Sequence, residues 1–146
     1  MPVTHLLDTS VYSQPIKKTP HQAVITRWQA VGDTSVVTSV ICEAEVLFGI
    51  HKEKHRSGTT KIEERYATLL KGKFDLLPVD RSVAEAYAEM RAHCEKNGTQ
   101  VADMDLLIAA TAKANNLVVA TLNTNDFHVI HGITVEDWSQ PLPPQK

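Results

Sequence analysis

The sequence lacks a long apolar run, a metal-binding cysteine spacing and an excess of positive charge. Its longest apolar stretch, residues 106–112, falls far short of the ~20 residues that cross a bilayer. The opening residues, Met1-Pro2-Val3-Thr4-His5, show no basic start followed by an apolar segment, so no signal peptide is expected and the expected location is cytoplasmic. Cysteine is scarce: Cys42 and Cys94 have no CxxC spacing and sit in apolar helical surroundings, which predicts two reduced core thiols rather than a disulfide. Neither they nor the histidines are expected to form a zinc site. A formal net charge of −2 gives no support to a nucleic-acid-binding class, whose members are commonly basic. Internal repeats and low-complexity tracts are absent. Pro141-Leu142-Pro143-Pro144 reads as a terminus that has left the packed domain.

What is present suits a soluble single domain. With 146 residues, 42% of them apolar, the chain can bury one core, expected over residues 1–138 with a proline-rich tail at 139–146. Charge is unevenly spread. Residues 51–61 carry Lys52, Lys54, Arg56 and Lys61 against Glu53, whereas residues 101–137 carry Asp103, Asp105, Asp126, Glu136 and Asp137 against Lys113. One surface is thus suited to anions and another concentrates carboxylates, although such runs are more often solvated faces.

Strand and helix patterns alternate. Thr4-His5-Leu6-Leu7-Asp8 is a short apolar run ended by an acid, and Val36-Val37-Thr38-Ser39-Val40 is β-branched after Gly32-Asp33. A third strand is expected in residues 74–79. Leu117-Val118-Val119-Ala120-Thr121 reads as a fully buried parallel strand, with a short edge strand at Ile133-Thr134-Val135. Ile62, Tyr66, Leu69 and Leu70 define one helical face; Val83, Ala86, Tyr87, Met90 and Cys94 define another, opened by a Ser82–Glu85 capping box. Residues 105–114 are apolar nearly all round and predict a buried central helix. The fold class is α/β: a three-layer α/β/α sandwich around a parallel sheet of four to five strands.

The informative residues are acids beside strand ends. Asp8 closes the first strand, Glu45 lies on the helix after the second, Asp105 opens the central helix and Asp126 follows the fourth strand. In a parallel sheet all strand C-termini share one edge, where sites form in a crevice. Four carboxylates from distant chain segments are therefore expected to converge. Like charges raise one another's pKa values, a cost that a bound divalent cation relieves. An all-oxygen set suits Mg2+, with Mn2+ as a substitute, better than zinc. The matching chemistry is phosphodiester hydrolysis, in which such an ion polarises phosphoryl oxygens, activates water and steadies the leaving oxygen.

Each acid alone has a plainer reading. Asp8 before Thr9 and Ser10 could cap a helix. Glu45 could be solvated, although Ala44, Val46, Leu47 and Phe48 around it make an unpaired charge costly. Asp126 in Asn123-Thr124-Asn125-Asp126 could be a turn residue. Asp103 and Asp105 compete for one helix start, where one can cap while the other points inward.

Five stretches in order resemble the PIN-domain family, and its VapC toxins most closely. They are Leu6-Leu7-Asp8-Thr9-Ser10, the run from Thr38 through Glu45 to Gly49, the run from Asp105 to Ala112, the run from Val119 to Phe127, and the run from Gly132 to Trp138. The resemblance implies that Asp8, Glu45, Asp105 and Asp126 are catalytic. Asp8 and Asp105 would hold the metal, with Glu45 and Asp126 as further ligands, and Asp105 is preferred over Asp103 by its register before Ile108-Ala109-Ala110. Thr9, Ser10 and Asn123 are the implied neighbours that support these acids, while Glu43 is off register. The resemblance also implies Mg2+-dependent cleavage of RNA, tRNA among the candidates, restraint by a VapB-type antitoxin, and a homodimer. Cys42 departs from the family's usual small hydroxyl residue at its place.

Beside that resemblance, Lys52, Lys54, Arg56 and Lys61 fall in or near the loop after the Glu45 helix and are candidates to hold RNA phosphates. Tyr12 and Trp28 are candidates for base stacking, although packing or antitoxin contact is the commoner role. Two rival readings differ in class. A phosphoaspartyl phosphatase with Asp8 as nucleophile wants a second acid two residues on, where this chain has Ser10. A non-catalytic PIN-like binding module sits poorly with four filled acid positions.

Overall fold

The computed structural model describes residues 2–141. β-Branched and apolar runs form five strands: β1 (His5–Leu7), β2 (Val36–Ser39), β3 (Leu76–Leu77), β4 (Val118–Thr121) and β5 (Val135–Asp137). All pair in parallel, in the order β3-β2-β1-β4-β5. β1 is therefore central, with β2 and β3 built out on one side and β4 and β5 on the other. Every residue of β2 is buried, as is nearly all of β4, which is what a sheet covered on both faces requires.

The covering helices are α1 (Thr9–Tyr12), α2 (Gln22–Val31), α3 (Val40–Ser57), α4 (Lys61–Leu69), α5 (Arg81–Lys96), α6 (Asp103–Ala114) and α7 (Thr124–His128). They complete the three-layer α/β/α sandwich. Its core holds Leu6, Leu7, Leu106, Ile108, Val119 and Trp138, all essentially without solvent contact. α6 buries Leu106, Ile108, Ala109, Ala110, Thr111 and Ala112, and its small residues let it lie close against its neighbours. No helix among the described residues is long and apolar enough to cross a membrane. Cys42 and Cys94 are buried free thiols.

Several boundaries differ from the sequence expectation, each for a local reason. β3 is only two residues of the stretch 74–79, because Pro78 has no N–H to donate to a ladder. The edge strand begins at Val135 instead of ending there. Its register pairs Val119 with Val135 and Thr121 with Asp137, and the following Trp138 is fully buried, its N–H bonded to the Thr121 carbonyl at 3.0 Å. α5 is capped by Asp80, whose Oδ1 accepts the Val83 N–H at 3.1 Å, so Ser82 lies inside the helix and the expected capping box does not form. On α4, Leu69 is 44% exposed, leaving Ile62, Tyr66 and Leu70 to carry the apolar face. α3 runs on to Ser57 and stops at Gly58, whose left-handed backbone (φ 73°) lets its N–H reach the Lys54 carbonyl. Lys52, Lys54 and Arg56 thus stand on the last turns of α3, and Lys61 opens α4, rather than all four lying in a loop.

Tyr12 and Trp28 are packing residues. Both are buried, with ring centres 6.3 and 5.4 Å from that of Phe74, so neither offers a face to an RNA base. The tail expected at 139–146 lies outside the described residues from 142 onward.

The cap assignment predicts a clear contrast. Asp80→Ala should cost about 1 kcal/mol of folding stability in urea unfolding, and Ser82→Ala only a few tenths. Equal losses would contradict the observed cap.

Candidate active site

The site starts from the break between β1 and α1. β1 ends at Leu7, and Asp8 adopts an extended backbone (φ −73°, ψ 174°) that makes it the N-cap of α1, with its carboxylate accepting the Val11 N–H. Its own N–H continues the ladder to the Ala120 carbonyl at 3.0 Å. Asp8 is 3% exposed, so its charge must be met by the protein. Oδ1 accepts from Ser10 Oγ at 2.6 Å and from Val11 N at 3.2 Å, and Oδ2 accepts from Thr121 Oγ1 at 2.7 Å. Each hydroxyl is aimed by a backbone N–H from the chain after β4: Leu122 N donates to Ser10 Oγ, and Asn123 N to Thr121 Oγ1. The plain capping reading and the site reading of Asp8 are thus both realised by one side chain.

Those donors do not offset the loss of water. Burial pushes the Asp8 carboxyl up to about 6, against the opposing pull of Ser10, Thr121 and Val11, and the nearby Asp105 adds to the rise. Asp105 is half-buried and likewise raised, by burial first and then by the charges of Asp126 and Glu45. The charge of Asp105 is thus coupled to those of Asp8, Asp126 and Glu45. Glu45, on the second turn of α3, is held by Thr9, whose Oγ1 donates to Oε1 at 2.5 Å. Asp126 is exposed, in the first turn of α7.

Among the described residues no three His, Cys, Asp or Glu side chains are already gathered as a ready cage. Glu45 Oε1 is instead engaged by the Thr9 hydroxyl. This arrangement fits Mg2+ well, since that ion keeps several waters and is commonly bound by one or two carboxylates plus substrate phosphates. The donor set is also all oxygen. The only thiol nearby, Cys42, is fully buried, takes a hydrogen bond from Ser39 Oγ at 3.3 Å, and is pushed by burial toward the neutral form.

Other residues named from sequence lie apart. Asp103 does not cap α6, whose N-cap is Ala102; it pairs with Arg91 at 2.5 Å and accepts from Tyr87 at 3.0 Å, facing α5. Glu43 faces the Tyr12 hydroxyl. Asn123 is exposed and meets the site only through its backbone N–H. Lys54 is paired with Glu63 at 3.2 Å and Arg56 with Glu53. One histidine pair departs from the expectation of no metal-binding spacing: His51 and His55 are four apart on α3 and exposed, although no third ligand joins them among the described residues.

The residue that sequence reasoning missed is Thr121. Its signal was its place at the C-terminal end of a parallel strand, adjacent in the sheet to the one that Asp8 follows. Also missed were Lys17, Lys18 and Arg65, which line a cleft with Thr9 and Glu45.

Residues 5–132 match the model of the PIN domain. The chain belongs to the PIN-domain family. Over 137 residues this PIN domain is 31% identical to Toxin FitB of Neisseria gonorrhoeae, covering 91% of this chain and 97% of FitB. It is 28% identical to the tRNA(fMet)-specific endonuclease VapC of Shigella flexneri, over 92% of this chain and 97% of the relative. Among solved structures, it resembles the crystal structure of FitAcB from Neisseria gonorrhoeae with a TM-score of 0.79 at 31% identity, covering 92% of this chain and 98% of that one. DNA-bound VapBC from Salmonella typhimurium gives the same TM-score at 28% identity, over 93% and 98% of the two chains.

A proton on Asp8 has a measurable consequence for the PIN domain. Between pH 3.8, the ordinary value, and about 6, the folded state retains a proton that the unfolded chain has released. Stability therefore falls as pH rises through that window, and the whole penalty is present above it. In chelator, Asp8→Asn should exceed the wild type by ~1–3 kcal/mol at pH 7.5, with the gap closing toward pH 4. Parallel stability–pH curves for the two proteins would show that Asp8 carries no such penalty.

Proposed function

We propose that this PIN domain is the toxin of a type II toxin–antitoxin pair and acts as a divalent-metal-dependent endoribonuclease. The carrying observation is that Asp8, after the end of a parallel strand, and Asp105, at the start of α6, have their carboxyls raised by burial, and that the charges of Asp8, Glu45 and Asp126 act on or with that of Asp105. Such a concentration of carboxylates opposes folding and makes chemical sense around a cation. Relatives of nearly the same length are named ribonucleases or endonucleases, which supports RNA as the substrate, with tRNA the first to test.

Asp8 and Asp105 would hold the ion, Mg2+ or Mn2+, and Asp126 would reach it from the open side. Ser10 and Thr121 keep the Asp8 oxygens in one orientation while leaving lone-pair capacity on Oδ2. Bound there, the ion would supply Lewis-acid polarisation of the scissile phosphate and activation of a water. Glu45, with Oε1 taken by Thr9, keeps Oε2 for accepting a proton from that water. Solved relatives are complexes named FitAcB and VapBC, and a VapB-type antitoxin is the partner proposed for this chain, together with a homodimer.

Asp8→Asn and Asp105→Asn should each lower RNA cleavage at least 100-fold, and chelation should abolish it, whereas Asp103→Asn should stay within a few-fold of wild type. The measurements are cleavage of total RNA by purified protein and mapping of new 5′ ends after brief induction. An Asp8→Asn protein that cuts at the wild-type rate, or activity indifferent to exhaustive chelation, would refute the reading.

A further inference from the structure

Beside the acids runs a cleft of about 410 Å3 that shares two of their residues, Thr9 and Glu45, at one end. Its floor is apolar, formed by Val46, Ile50 and Ile62. Lys17, Lys18 and Arg65 also line it. Lys17 and Lys18 are exposed, and among the described residues no carboxylate pairs with either. Arg65 projects from α4, and its Nε donates to the Ile16 carbonyl at 2.7 Å, which fixes the backbone immediately before the two lysines.

An acidic site repels the substrate it must cut. RNA carries a phosphate at every nucleotide, so cations are needed within a nucleotide or two of the carboxylates. The basic residues of α3 fill that need poorly. Lys54 and Arg56 are engaged by Glu63 and Glu53. At 1.5 Å per residue they also stand ~14 and ~17 Å along the helix from Glu45. The pair that opens onto the same cleft as Glu45 is Lys17 and Lys18.

We propose that Lys17 and Lys18 bind the RNA backbone phosphates flanking the scissile bond, with Arg65 as a positioning residue acting through Ile16. This rests on the ribonuclease reading above and assigns its substrate-holding wall. The apolar floor then faces the ribose and base of the nucleotide leading away from the acids.

The test uses full-length Asp8→Asn protein, which binds without cutting, and a fluorescein-labelled 12-nucleotide oligouridine read by anisotropy over a range of KCl concentrations. Adding Lys17→Ala and Lys18→Ala should weaken binding at least tenfold. The slope of log affinity against log salt should fall by about 1.4, near 0.7 for each lost phosphate contact. Adding Lys54→Ala and Arg56→Ala instead should change affinity less than twofold. Both lysines are exposed, so unaltered thermal unfolding is expected and is checked alongside. Parental affinity and slope in the Lys17/Lys18 variant overturn the proposal and leave the cleft to a polypeptide. Wild-type cleavage of total RNA, run in parallel, separates the two claims: cleavage with parental binding sinks only the phosphate wall, and no cleavage at all sinks the nuclease reading and the wall with it.

Discussion

A carboxylate set into the buried end of a central strand is the constraint around which the molecule is arranged. Asp8 has almost no water, and an unmet charge there would cost several kcal/mol. Its three donors have different origins. Val11 belongs to the helix that Asp8 caps, Ser10 lies in that helix's first turn, and Thr121 closes a strand formed more than a hundred residues later. The local pair is present wherever the turn forms. The distant donor exists only when β4 lies against β1, so strand order and site chemistry depend on the same contact.

The other acids are held with different firmness. Asp105 stands at the start of α6, the most deeply buried helix, whose position is set by packing. Glu45 rides on a long helix and is oriented by one hydroxyl, Thr9. Asp126 sits exposed on a five-residue helix. An edge of this kind has two well-anchored carboxylates, one oriented partner and one at the mouth. That grading suits an ion whose remaining coordination comes from water and substrate, and Lys17 and Lys18 line the same cleft as Glu45.

Much of this was legible in the sequence, but unevenly. Strands β1, β2 and β4 are visible because buried parallel strands need runs such as Leu117-Val118-Val119, which little else in a soluble chain demands. The four acids are ambiguous singly and gain meaning from their shared position after strands. Asp103 and Asp105 are separated in the structure by Arg91, a residue on another helix that no local pattern could bring forward. The same holds for Thr121 and for Lys17 and Lys18, whose neighbours are set by the fold. Boundaries were missed where a distant anchor overrides local preference, as the buried Trp138 does for β5, or where two caps compete, as Asp80 and Ser82 do. The excess of basic charge in residues 51–61 was visible, but its pairing with Glu53 and Glu63 was not.

β1 lies in the middle of the sheet, and its two flanking strands come from well-separated parts of the chain, β2 at Val36–Ser39 and β4 at Val118–Thr121. The first carboxylate is at position 8, yet Thr121 and the backbone N–H groups of Leu122 and Asn123 follow more than a hundred residues later. A nascent polypeptide still attached to the ribosome and short of that point has its leading acid but not the frame that orients it. The orientation of that first carboxylate is therefore a property of the assembled sheet and not of the segment that carries it.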